Sequence, residues 1–225
     1  MRTGVLAVLV ASAVLLSGCG GSGSKSNGEA AKAPKQVVAD ALQAAVGAKG
    51  VHVSGSIVSS STTLTLDLRI VKGAGGSGQM SQQGLSFQLI RVGSKAYIKG
   101  SDAFWKKFGG AGVATLLHDK WLAGSATTGN FASLTELTDI SKLFTGALGA
   151  HGTLKNAGET TYKGQKVVAI KDLTNGGTLY VAATGTPYPI AIIAPKSGSI
   201  AFDEWNKTIS ISAPKGAVDV GSLGG

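Results

Sequence analysis

The chain has 225 residues, a net charge of +9 and a single cysteine, so no disulfide framework can hold it and the fold must rest on burial alone. Its lysines and arginines are scattered singly, with Lys106-Lys107 the one adjacent pair, and aromatics are only 6%; this argues against a nucleic-acid surface, where basic residues cluster beside stacking rings. The 34 glycines, with Val, Ile and Leu in place of aromatics, describe a body whose side chains are small and fill space poorly.

The first residues have the layout of a bacterial export signal: a basic start at Arg2, an apolar run from Val5 to Leu16, then Leu16-Ser17-Gly18-Cys19. A membrane-crossing helix needs about 20 apolar residues, more than this run offers. The four residues look like a lipobox; in proteins with that motif the cysteine is diacylated on sulfur and the bond before it is cut. Residues 1–18 are therefore expected to be a lipoprotein signal peptide, and Cys19 the lipid-bearing N-terminus. It would hold an exported protein to the outer face of the cytoplasmic membrane or the cell envelope. Residues 19–34, which include GGSGSKSNGEAAKAP, have no apolar period and are expected to form a flexible tether with a reach of about 20 Å. One folded domain, 35–225, remains.

Within it, Val38, Leu42, Ala45 and Val46 make one stripe of an amphipathic helix over 35–49, ended at Gly50. The period then changes to two. Val51, Val53 and Ile57, then Leu64, Leu66, Leu68 and Ile70, alternate with polar residues and predict strands with one apolar face. A glycine turn is expected over 72–78, a polar strand over 79–83, a strand carrying Leu85, Phe87 and Leu89, and another over 95–99, the whole an antiparallel meander. From 100 to 149 the pattern is helical. Ser101 or Asp102 can cap a helix bearing Phe104, Trp105 and Phe108 that stops at Gly109-Gly110. Ser133 with Glu136 reads as a capping box opening a helix at Leu134, whose Leu137, Ile140, Phe144 and Leu148 form a stripe. Strands return over 153–162, 165–172, 178–183, 190–194, 199–202 and 208–212, and the tail from Pro214 is expected to be loose.

The motifs for chemistry are weak. Gly73-Ala74-Gly75-Gly76-Ser77-Gly78 matches GxGxxG, but a strand follows where a dinucleotide site needs a helix N-terminus. No serine has glycine at both positions of Gly-x-Ser-x-Gly. His52, His118 and His151 lie on separate elements without zinc spacing, and Asp203-Glu204 read as surface charge. The expectation is no catalytic residue, no metal, no cofactor and no enzyme. Phe104-Trp105-Lys106-Lys107-Phe108 is either a lid at a membrane face or a helix packing its Phe side, and packing is the commoner use.

The order of tether, helix, strands, helical insert and strands resembles the LppX/LprAFG lipoproteins of mycobacteria and related actinomycetes. The likeness rests on the lipobox, on Ser77-Gly78-Gln79 and Tyr97-Ile98-Lys99, on Phe104-Trp105, on Gly185-Thr186-Pro187-Tyr188-Pro189 and on the stretch from Phe202 to Trp205. It implies an α+β fold: a strongly bent antiparallel sheet, or half-barrel, similar to the LolA/LolB carriers. Helices cover its concave face and an apolar cavity lies between. It implies a carrier that binds acylated lipids or glycolipids and helps move them across the envelope, a monomer served by a membrane transporter. The residues agree on one point: the apolar strand faces are well supplied, whereas the covering helices offer many Ala and Gly, which leaves space where a core is normally filled at crystal-like density. The expected lining is Leu64, Leu66, Leu68, Ile70, Phe87, Leu89, Ile98, Phe104, Leu137, Ile140 and Phe144. The alternative is an envelope lipoprotein that contacts a partner protein, as accessory or sensor, with its cavity closed.

Overall fold

A computed structural model describes residues 25–59, 62–128 and 131–220; the signal segment, Cys19 and the first part of the tether lie outside them. The alternating segments form two antiparallel runs. One comprises β1 (Gly50–Ser59), β2 (Thr62–Val71), β3 (Gly75–Gln82), β4 (Leu85–Val92), β5 (Lys95–Gly100) and β6 (Leu122–Ser125). The other comprises β7 (Leu154–Tyr162), β8 (Gln165–Asp172), β9 (Thr178–Ala182), β10 (Pro189–Ala194) and β11 (Gly198–Asp203). They join where β1 pairs antiparallel with β11, His52 opposite Asp203 and Ile57 opposite Gly198. The result is one 12-stranded sheet in the order β12-β6-β5-β4-β3-β2-β1-β11-β10-β9-β8-β7, open at both edges and bent into a half-barrel. All pairs are antiparallel except β12 (Val218–Asp219), which lies parallel to β6.

Glycine inside the strands permits the bend. A Cβ on Gly78 would collide with the backbone of Asp67 and Leu68 on β2, and Gly55 holds φ +147 with Ser199 against it on β11. Side-chain-free positions let neighbouring backbones approach where the sheet folds. This overturns the expected glycine turn over 72–78: only the first residues turn, and Gly75 to Gly78 are paired with both β2 and β4.

The helices lie on one face. α1 (Pro34–Gly47) buries Val37, Val38, Ala41 and Ala45. α2 (Asp102–Leu116) starts where Ser101 Oγ accepts the N–H of Phe104; at Gly109-Gly110 it breaks instead of stopping, with Gly110 at φ 82, and resumes. The single helix expected from Leu134 is two, α3 (Ala132–Glu136) and α4 (Ile140–Gly149). Asp139 decides this, because its Oδ1 accepts the N–H of Lys142 at 3.0 Å and caps a new start. α3 itself begins at Phe131 without a side-chain cap.

Four further expectations fail locally. β6 falls inside the stretch read as helical, since four residues, Leu-Ala-Gly-Ser, carry almost no alternation. Residues 208–212 form no strand, while Val218 and Asp219 in the supposedly loose tail pair with Leu122 and Ala123. The tether is docked from Ser26 onward. Ser26 bridges Thr184, Asn27 Nδ2 donates to the carbonyls of Ala182 (2.8 Å) and Gly185 (3.1 Å), and Glu29, in a 3-10 turn, is only 2% exposed.

Candidate functional site

Every side chain expected to line a cavity faces the helix-covered side. Leu66, Leu68, Ile70, Phe87, Leu89, Ile98, Ile140 and Phe144 are buried in one cluster, and Leu64, Phe104 and Leu137 pack against it half-buried. Strand alternation explains this, since Leu66, Leu68 and Ile70 are two apart and share a face. Aromatic contacts tie the cover to the sheet: Phe104 lies 5.0 Å from Phe87, and Phe144 lies 4.9 Å from Phe202 and 5.4 Å from Trp205. Trp205 stacks on Tyr188 at 4.5 Å and its Nε1–H donates to Pro189, so two distant stretches of the resemblance meet in one packing unit.

Apolar space lies elsewhere on that face. A cavity of about 220 Å³ opens between the helices and β7 to β10, with Val38 of α1, Leu148 of α4, and Leu154, Ile170, Leu179 and Ile192 of the sheet as its apolar walls. Its rim is polar: His151, Asp172, Asn175 and Ser197. Asp172 accepts the backbone N–H groups of Asn175, Gly152 and Thr174, at 2.9–3.0 Å, which pull its carboxyl down to about 2. A larger hollow, about 500 Å³, lies on the opposite face. Thr65, Asp67, Ser77, Gln79, Ser81 and Gln88 give it polar groups, and Leu66, Met80 and Ile90 give it apolar ones.

Among the described residues, two donors on the covered side have nothing to bond. Trp105 is 5% exposed and its Nε1–H has no acceptor. Arg91 alternates with Phe87 and Leu89 and so points inward; its Nε is buried without a partner, and its side chain makes no hydrogen bond or ion pair among the described residues. A buried polar group left unpaired costs about 1–3 kcal/mol, and more when charged.

The polar face carries a network that no spacing in the sequence announces. His52 Nδ1 lies 2.7 Å from Asp203 and Nε2 3.1 Å from Asp67, while Arg69 Nε donates to Glu204 at 3.0 Å. His52, Asp203 and Glu204 bring their ligand atoms within 4.8 Å of one another. Both ring nitrogens already face carboxylates, and Arg69 and Lys207 (3.6 Å) already neutralise Glu204, so the group reads as an ion-pair net across β1, β2 and β11. Between the two ends of α2, Asp102 bonds His118 at 2.8 Å and, with Asp119, raises the pKa of His118.

No family model matches the chain, and no curated protein matches it in sequence. Among solved structures, LprF from Mycobacterium bovis is similar over 86% of this chain and 100% of its own, at 16% identity and a TM-score of 0.53. The Mycobacterium tuberculosis lipoprotein LppX is similar over 80% of this chain and 100% of its own, at 16% identity and a TM-score of 0.48. The chain therefore has the fold found in lipoproteins of the LppX/LprAFG family, an open half-barrel with helices on its concave face.

Proposed function

We propose that the protein is an exported lipoprotein, anchored through Cys19 at the outer face of the cytoplasmic membrane or the cell envelope. It binds acylated lipids or glycolipids on its helix-covered face and helps carry them across the envelope. The observation that carries this reading is the apolar cavity between α1, α4 and β7 to β10, open at a polar rim. Each methylene buried there contributes roughly 0.8 kcal/mol, and no bond is made or broken.

Pockets that engulf a ligand run to about 300–1,000 Å³. The cavity of about 220 Å³ therefore holds part of one chain, and a lipid with several chains needs the helices to lift from the sheet. The break at Gly110 supports such movement in α2, whose Phe108 is already 69% exposed. In the loaded state Leu64, Leu66, Leu68, Ile70, Phe87, Leu89, Ile98, Phe104, Leu137, Ile140 and Phe144 become the chain-contacting walls. A membrane transporter is the natural supplier of cargo.

Mass spectrometry of solvent extracts from protein purified in mild detergent tests the reading, together with uptake of a fluorescent acyl probe by the delipidated protein. Co-purifying acyl lipid and saturable uptake are expected. If neither is found, the carrier reading fails and contact with a partner protein takes its place.

A further inference from the structure

We infer that Arg91 holds the phosphate of an acylated lipid's head group, at the end of the covered face away from the apolar cavity; this rests on the lipid-binding reading above. The cross-strand row is Gly76 on β3, Arg91 on β4, Ala96 on β5 and Gly124 on β6. Arginine is the one long side chain in it. Thr138 packs over Gly76, and the ring of Phe131 packs over Gly124, so the two walls stand on either side of Arg91 with α3 between them. The small neighbours leave room for the guanidinium, and Thr138 and Phe131 fill the space over the two glycines.

Among the described residues of this cover, no carboxylate pairs with Arg91. Thr135 and Thr138, the buried polar residues of this cover, spend their hydroxyl protons on the carbonyls of Ala126, Ala132 and Thr135. Glu136, the acid of α3, pairs instead with Lys142 at 3.0 Å, and Asp139 caps α4. Arg91 thus presents its donors with no carboxylate turned toward them, and its Nε is already stripped of water. A planar donor fork in a partly desolvated setting matches a phosphate, which takes two parallel N–H bonds. Leu89 and Phe87 continue from Arg91 along β4 toward the cavity end, so a head group here sends its chains over apolar residues.

The test compares dioleoyl phosphatidic acid with dioleoylglycerol, which has the same chains without the phosphate, by displacement of a fluorescent acyl probe from the delipidated full chain. Wild type should bind the phosphatidic acid about tenfold more tightly, the factor expected for one charge-assisted contact. Arg91→Met should erase that preference and leave dioleoylglycerol binding unchanged, and Arg91→Lys should restore part of it. The delipidated Arg91→Met protein should melt no lower than wild type, because no ion pair is lost. Equal binding of both lipids by wild type overturns the head-group site while leaving the carrier reading intact; binding of neither overturns both. A lower melting temperature for both variants, with the preference intact, makes Arg91 a packing residue and overturns the inference. Equal competition by inorganic phosphate at the lipid's concentration would assign the site to a free anion instead.

Discussion

The two antiparallel runs of the sheet use the same alternating pattern and reach different interiors. In the first run, β2, β4 and β5 send Leu66, Leu68, Leu89 and Ile98 into a core in which each is at most 4% exposed. In the second, Ile170 and Leu179 bury as deeply or nearly so, yet with Leu154 and Ile192 they border open space. Strand faces do not account for this. The first run is folded tightly by glycines such as Gly78 and bears the aromatic Phe104 and Trp105 of α2, whereas the second meets the end of α4, Ala147, Leu148 and Ala150, where small side chains reach across poorly. How well two layers fill depends on the layer with the smaller side chains.

Substitutions can break or sharpen that contrast. The largest effect should come from Phe144→Ala, which removes a fully buried ring that locks α4 onto Phe202 and Trp205; a loss of about 3–5 kcal/mol in denaturant unfolding is expected. Next, extra bulk should be resented in the first run and accepted in the second. Leu66→Trp should cost about 1–3 kcal/mol in strain, whereas Ile192→Phe should cost less than about 1 kcal/mol while reducing acyl-probe uptake. Equal losses from the two would show that the second run is packed as densely as the first.

A chain beginning at Ala33 should still fold but unfold at lower denaturant than one beginning at Lys25. The difference should be about 1–2 kcal/mol, since the bonds from Asn27 to Ala182 and Gly185 are lost. Identical midpoints would mean that the docked segment contributes nothing. The smallest effect concerns Asp172 at the cavity rim. Its carboxyl is held down to about 2 against 3.8, so its contribution is present above pH 3.8 and lost as pH falls toward 2. Asp172→Asn should therefore narrow its gap from wild type in melting temperature as pH drops from 5 to 2, and a gap that widens would contradict the assignment.

Much of this was legible in the residues because period reports facing. The alternation from Leu64 to Ile70 states which side is buried, and the structure follows it; the stripe of α1 is met only in part, since Val38 and Ala45 are buried but Val37 and Ala41 take the places expected for Leu42 and Val46. Junctions were less legible, because short local bonds compete there. Asp139 splits the helix expected from Leu134, and Asn27 fastens a segment whose composition reads as loose. Arg91 did leave a signal, since Leu85, Phe87, Leu89 and Arg91 keep one parity and an arginine at the inward beat of a strand is unusual. Nothing comparable marks His52 and Asp203, which lie 151 residues apart and meet only because β1 pairs with β11. The cavity was illegible for another reason: its walls come from several elements, and alternation cannot say how closely layers approach.

Under the proposed anchoring, the docking of Ser26 and Asn27 also bears on which way the body can face. With Cys19 anchored as proposed, the leash from residue 19 to residue 25 spans at most about 25 Å, at about 3.5 Å per residue. The leash ends beside Thr184 and Gly185, just past β9, on the side where β4 carries Arg91. The cavity rim, with Asp172, Asn175 and Ser197, lies at the other ends of these strands. Under that anchoring, an upright body would keep Arg91 near the bilayer and point the cavity opening outward. Cargo drawn from that bilayer by its head group would be offered tail-end first to whatever stands farther out in the envelope.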